Sequence, residues 1–285
     1  MSLASEELRY VYAVCRPLDA PLAADLTGVG GVPPRQLAHE GLIALVGPVP
    51  ERDFAEEPLR RHLEDLDWLS DTARAHQRVI SALTSVTCPL PLRLATVFRD
   101  DSGVRAMLEE GADRFRRVLD RIDGCVEWGV KVHLESEESR ERPAEAPTQD
   151  KPRSGRDYLR QRRSRQTAQD ESWQRAEVFA QALHEKLSRR SDDSRLHAPQ
   201  NSSLSKAPGR NILNAAYLVP RAHSEEFVEL VDGTKDEGQE SSGLRVELTG
   251  PWAAYSFTAD DPGTEGTRAD GTDTGTGADQ TERSR

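Results

Sequence analysis

The chain has 285 residues, 38 Lys plus Arg against 49 Asp plus Glu, a net charge of −11 and only 36% apolar residues. That length exceeds one ordinary core, so two domains are expected, and the low apolar share means that part of the chain is solvated. The negative surplus argues against wholesale binding of nucleic acid or anionic lipid, and the absence of a long apolar run or of signal-peptide features in residues 1–7 points to a cytoplasmic protein with no membrane span.

The first element is Leu8-Arg9-Tyr10-Val11-Tyr12-Ala13-Val14-Cys15, β-branched and aromatic and stopped by Pro17, which predicts a strand. Prolines and glycines then crowd residues 19–35, including Gly28-Val29-Gly30-Gly31-Val32-Pro33-Pro34, where the chain must turn. Leu42-Ile43-Ala44-Leu45-Val46, between Gly41 and Gly47-Pro48, predicts a short buried strand. From Leu59 the apolar spacing through Leu63, Leu66, Leu69, Ala73, Val79, Ile80 and Leu83 predicts one long helix. Pro89 and Pro91 cannot donate to a ladder, so the next strand is expected to start near Leu92 and to run to Phe98, along a sheet edge. Val104, Met107, Leu108, Gly111, Phe115, Val118, Leu119 and Ile122 predict a helix capped by Asp101-Ser102 and closed by Gly124. Alternation over residues 126–134 predicts another strand. Strands and helices thus interleave, which suggests helices on one side of a mixed sheet, akin to the ferredoxin-like layout.

Residues 135–154, with three prolines and a run of acids, read as a linker or exposed loop. Residues 155–190 are helical in composition, with Trp173, Ala176, Ala180, Leu183 and Leu187 spaced by three and four, but their first half is almost wholly polar and must be exposed. A Ser-rich connection over 191–210, a strand over 212–219, a short helix from Ser224 to Val231 and a strand over 244–249 complete a smaller α+β layer. The tail over 258–285 carries seven acids and three arginines and is expected to be disordered. The fold class is therefore α+β, with a ferredoxin-like domain over 8–134 and a second domain with a long helix over 155–257.

Catalytic signatures are missing. There is no G-x-S-x-G elbow, no H-E-x-x-H, no C-x-x-C and no phosphate-binding P-loop, and no histidine falls at i+3 or i+4 from another histidine or a cysteine. Gly28-Val29-Gly30-Gly31 reads as a plain turn, because Pro33-Pro34 remove donors where a phosphate-binding helix would open. Glu64, Asp65 and Asp67 read as solvated carboxylates near a helix start rather than as an acid and base pair. Cys15, Cys88 and Cys125 fit neither a disulfide framework nor a metal knuckle and are taken as reduced thiols. No catalytic residue, metal ligand or cofactor is nominated. The one basic stripe, Arg153, Arg156, Arg160, Arg162, Arg163 and Arg165 against Asp157, is either a solvated face or a contact for nucleic acid or an acidic protein face, with Tyr158 the only aromatic beside it. A nucleic-acid-binding regulator using that stripe is the alternative reading. Of the four tryptophans Trp252 stands out, since Gly250-Pro251-Trp252-Ala253-Ala254-Tyr255-Ser256-Phe257 packs three rings into a short stretch that either plugs a junction or docks a partner.

Six blocks in order resemble the gas vesicle accessory proteins of the GvpL/GvpF family. They are Arg9-Tyr10-Val11-Tyr12-Ala13-Val14, Leu90-Pro91-Leu92-Arg93-Leu94-Ala95-Thr96-Val97-Phe98, Glu127-Trp128-Gly129-Val130-Lys131-Val132, Gly155-Arg156-Asp157-Tyr158-Leu159, Ala216-Tyr217-Leu218-Val219-Pro220, and Leu248-Thr249 followed by the aromatic stretch just named. Ala253-Ala254 stand where family members often carry prolines, and Leu94-Ala95 replace a common Phe-Gly pair. The resemblance implies a cytoplasmic, non-enzymatic protein of gas vesicle assembly, acting at the vesicle, whose partners are the apolar shell protein and other accessory proteins. It also implies two α+β domains, the first a modified ferredoxin-like sandwich. Leu92, Arg93, Leu94, Phe98, Trp128, Trp252 and Tyr255 are the candidate protein-binding residues.

Overall fold

A computed structural model describes residues 7–18, 20–135, 155–198 and 210–258. Apart from Glu135 and Thr258, the expected linker over 135–154 and the tail over 258–285 lie outside the described residues, as does Arg153 of the basic stripe. The strands form two antiparallel sheets.

In the first sheet β1 (Glu7–Cys15) is central. It pairs with β3 (Leu42–Pro50) on one side and with the two-residue strands β4 (Leu90–Pro91) and β5 (Val97–Phe98) on the other, and β2 (Arg35–His39) pairs with β3. Glu40 and Gly41, at φ 47° and 77°, form the tight turn between β2 and β3, the conformation that matches the twist of a hairpin. β2 is absent from the sequence reading because Leu37 is its only buried residue, too little for an alternation to show.

Three expectations here are corrected. The single helix from Leu59 is split between α2 (Glu56–His62), which begins before it and follows the short α1 (Glu51–Phe54), and α3 (Leu66–Thr84). The break comes from Asp65, whose carboxylate accepts the backbone N–H groups of Asp67 and Trp68 at 3.0 and 3.2 Å and so starts a new helix inside an apolar spacing that reads as continuous. The helix over 104–122 is two, α4 (Asp101–Glu110) and α5 (Ala112–Ile122), parted at Gly111, where any Cβ would sit 2.6 Å from the Phe115 ring. Of the strand expected over 92–98 only Val97–Phe98 pairs with β1, as β5, and 92–96 are a turn between β4 and β5: Leu92 donates to Tyr12 O, Thr96 O accepts from Val11, and Thr96 bonds back to Arg93, with Ala95 at φ 62°.

The second sheet holds β6 (Cys125–Leu134), β7 (Asp193–Leu196), β8 (Arg210–Pro220) and β9 (Leu244–Trp252) in the order β7-β8-β6-β9. α6 (Gly155–Ser188) and α7 (Ser224–Ser242) lie between these strands in sequence. The element order βαββαβ, with its second and fourth strands at the outside, is the split βαβ pattern of the ferredoxin-like layout. The sequence reading placed that layout over 8–134. The pairing places β6, its expected last strand, at the centre of the second sheet, bonded to β8 and β9. Hydrophobic alternation reports that a strand has a buried face and not which strand lies beside it, so this reassignment had no local signal. β7, inside the expected Ser-rich connection, has no fully buried residue and was equally silent.

The layers run helix, sheet, helix, sheet, helix. One face of the first sheet, with Tyr10, Tyr12, Ala13 and Leu45, packs on α3 through Val79, Ile80 and Leu83. Its other face meets Val104, Leu108, Phe115 and Leu119 of α4 and α5. That same helical layer receives Ala216 and Leu218 from the second sheet, whose far face packs on Ala180, Leu183 and Leu187 of α6 and Phe227 and Val231 of α7. Because α5 is shared, the two sheets are parts of one packed body.

Candidate functional site

The segment after β9 crosses from the second sheet to the first. Gly250 makes the crossing possible: its φ is 128°, and a Cβ there would lie 2.8 Å from Glu127 O and 3.0 Å from the Trp128 ring. Beyond it, Ala253 packs with the α3 side of the first sheet, while Ala254 and Phe257 enter the shared core. Phe257 is fully buried, with the guanidinium groups of Arg121 and Arg195 at 5.9 and 5.8 Å from its ring centre.

A polar latch holds this strap. Glu127 on β6 accepts the Ser256 N–H at 2.8 Å and the Ser256 hydroxyl at 2.7 Å, and His197 Nε2 lies 3.1 Å from that hydroxyl. Burial raises the Glu127 carboxyl above its ordinary range, and the two bonds from Ser256 pull it part of the way back. The three residue types of a hydrolytic triad meet here in another order, with the serine rather than the histidine in the middle. The arrangement ties the chain terminus of the fold to β6. Both residues lie in blocks that carry the family resemblance, but no local pattern shows that the two, far apart along the chain, come together.

On the other side of the strap a second polar chain runs along α3. The buried Tyr10 hydroxyl accepts the N–H of Ala95 at 3.1 Å and is hydrogen-bonded to His76 Nδ1 at 3.0 Å. Burial holds His76 down to about 4 and pushes Tyr10 up, so both are neutral at pH 7. The next residue of α3, Gln77, accepts the Tyr255 hydroxyl at 3.2 Å. This chain brings the turn after β4 and the aromatic strap to the same side of β1.

The candidate residues fall into three settings. Leu92 and Phe98 are half-buried against the shared core, Leu94 is half-buried, and Arg93 is exposed, so the turn shows water a mixed apolar and cationic surface beside an interrupted sheet edge. Trp252 and Tyr255 are 43% and 36% exposed, and Trp252 borders a shallow cleft of about 210 Å³ with Gln77, Ser81, Thr84, Arg221 and Pro251. Trp128 is buried, its indole N–H 3.4 Å from Ser224 Oγ, and so is an anchor between β6 and α7 rather than a contact surface. Sequence reasoning missed the corner between α2 and α3, where Leu63 and Leu66 are 42% and 78% exposed. Both leucines were assigned to the buried stripe of a single helix, and recognising Asp65 as a helix cap is the signal that turns them outward.

Among the described residues no helix is long and apolar enough to cross a membrane, and no three His, Cys, Asp or Glu side chains gather as metal ligands. A family profile described as "Gas vesicle synthesis protein GvpL/GvpF" matches residues 8–259. The chain is 55% identical over 255 residues to "Gas vesicle protein L" of Streptomyces sp. (strain CB03234), covering 90% of this chain and 94% of that one. It is 27% identical over 257 residues to "Gas vesicle protein F" of the same strain, covering 87% and 98%. Among solved structures, the gas vesicle protein GvpF from Anabaena sp. PCC7120 superposes with a TM-score of 0.62 at 17% identity, covering 90% of this chain and 97% of that chain, a likeness of fold.

Proposed function

The chain belongs to the gas vesicle synthesis family GvpL/GvpF, and from that premise we propose that it is an assembly accessory protein that binds the apolar vesicle shell protein, together with other accessory proteins, in the cytoplasm while the vesicle is built. The observation that carries this reading is the family match over nearly the whole described chain. A shell subunit whose assembled wall keeps water out of a gas space exposes a large apolar face when free, and such faces aggregate unless covered. The surface that supports this reading lies at the β4 and β5 edge of β1. There the turn with Leu92, Arg93, Leu94 and Phe98 interrupts a sheet edge, and the half-exposed rings of Trp252 and Tyr255 lie across Tyr10, His76 and Gln77 from it. Broken edges and aromatic rims are the surfaces on which an extended or amphipathic segment docks. The acidic surplus of the chain keeps the loaded complex in solution. In this reading the Leu92 to Phe98 edge of residues 8–134, with the rings of the strap beside it, supplies the shell contact, and the long helix α6 the contacts to sister proteins.

The test is a pull-down of purified shell protein by the full chain and by the double variant Leu94→Asp/Trp252→Ala, with folding of both checked by circular dichroism. Retention by the wild type and loss by the folded variant is the expected result. Equal retention moves the shell contact elsewhere on the molecule, and no retention by either overturns shell binding.

A further inference from the structure

Two of the free thiols meet where the sheets join. Cys88 lies in the loop between α3 and β4, and Cys125 opens β6. The Cys88 sulfur accepts the N–H of Gly124, 36 residues away in sequence, at 3.2 Å, which places it one residue of chain from the Cys125 backbone. The junction around them is held from both sides. The Arg221 N–H donates to Gly124 O at 2.9 Å and its guanidinium to Thr84 O at 2.8 Å, so the end of α3, the turn before β6 and the end of β8 are tied together there. The Cys125 thiol donates to the Asp192 carboxylate at 3.5 Å.

The two thiols have different surroundings. Cys88 is half-buried, within reach of a small polar oxidant, and the Gly124 N–H is already in place to stabilise charge that develops on its sulfur. Cys125 is buried, and that burial, with the Asp192 carboxylate beside it, pushes its thiol up to about 12. It stays protonated until its proton is taken, and the exposed Asp192 is the group positioned to take it and hand it to water. We propose that Cys88 and Cys125 are a reversible pair that responds to hydrogen peroxide, Cys88 being oxidised first and Cys125 closing the bridge. The Cys88 sulfur attacks one peroxide oxygen; the O–O bond breaks, an S–O bond forms, and the departing hydroxide leaves as water with the thiol proton. The Cys125 sulfur then attacks the Cys88 sulfur as its proton passes to Asp192; the S–S bond forms, the S–O bond breaks, and the hydroxide released becomes the second water. Two thiols and one peroxide give one disulfide and two waters. The bridge pins the loop leading into the β4 and β5 edge to the first residue of β6, and a thiol reductant reopens it. This chemistry is independent of shell binding.

Treatment of the full chain with a small excess of hydrogen peroxide reads it out. Without reductant the intact mass of the single chain falls by about 2 Da, and a digest contains one peptide pair joined through Cys88 and Cys125 that a reductant separates. Thiol titration finds one cysteine left, Cys15, which is fully buried in the first sheet. Cys125→Ser leaves Cys88 as a sulfenic acid that dimedone traps, whereas Cys88→Ser keeps its two remaining thiols reduced. Asp192→Asn slows bridge closure at least about tenfold while the first oxidation keeps its rate. Circular dichroism checks the fold of each variant. Three thiols still free when a control peptide thiol is fully oxidised overturn the proposal, as does a bridge between two chains or through Cys15. Closure at an unchanged rate in Asp192→Asn overturns the part assigned to Asp192.

Discussion

Each sheet buries one face on the shared α4 and α5 layer and the other on helices of its own, yet their outer strands are built differently. The second sheet keeps its outer strand β9 paired with β6 from Glu127 to Leu134, whereas the edge beside β1 in the first sheet is cut to the two-residue strands β4 and β5, parted by the turn that holds Ala95. A continuous ladder consumes its own backbone groups and makes a stiff frame. An interrupted one leaves half-buried apolar side chains and a short edge at the surface, which is what a contact site for another chain needs. The strap ending in Phe257 fixes one to the other.

If the strap is the joint between a stiff half and a binding half, removing its plug should cost most. Phe257→Ala empties a fully buried site shared by both sheets and is expected to lower unfolding stability by about 3–5 kcal/mol, measured from the denaturant midpoint. A loss below about 1 kcal/mol would mean that the sheets hold together without it.

The next effect separates the sheets by pH. His76, under the first sheet, is held down to about 4 from an ordinary 6.5 by burial, so the folded state resists the proton that the unfolded chain accepts. Its contribution is complete above pH 6.5 and is lost as pH falls through 4, at most about 3 kcal/mol over that window. The urea midpoint followed from pH 7 to pH 4 should therefore fall, and His76→Gln should flatten that part of the curve. An unchanged slope in the variant would remove His76 from the account.

A smaller loss is expected from the latch. Ser256→Ala leaves Glu127 half-buried with both the hydroxyl bond and part of its compensation gone, for about 1–3 kcal/mol, and should speed amide exchange at Tyr255, Ser256 and Phe257 before it does so in β6. Uniform acceleration across both sheets would show that the latch is not local. The smallest effect belongs to the exposed corner: Leu66→Ala should change stability by less than about 0.5 kcal/mol, because the residue has no core to leave.

The sequence made the individual elements legible wherever burial is regular. The first strand, β3, the second half of α6, β8 and β9 all carry apolar residues at the period of their structure, and the caps and breakers around them are in place. What it could not carry was adjacency. β6 alternates as a strand of either sheet would, and only its bonds to β8 and β9 move it into the second. The break at Asp65 hid inside a leucine spacing that continues unperturbed across it, and the same ambiguity concealed the outward Leu63 and Leu66. Of the candidate site, the aromatic stretch stood out as either a junction plug or a docking patch, and the structure divides it, with Phe257 buried and Trp252 and Tyr255 partly exposed, while the Trp128 indole, equally bulky in sequence, belongs to the core. The Glu127, Ser256 and His197 latch depends on a fold-level approach of distant residues that no local pattern encodes.

The most direct measurement is co-expression of the shell protein with this chain, scored by the fraction of shell protein that stays in the supernatant after centrifugation. An assembly accessory protein should raise that fraction several-fold over shell protein expressed alone, and Leu94→Asp/Trp252→Ala, at equal expression and with intact folding, should return it to the starting level. A soluble fraction unchanged by the wild-type chain would contradict the account.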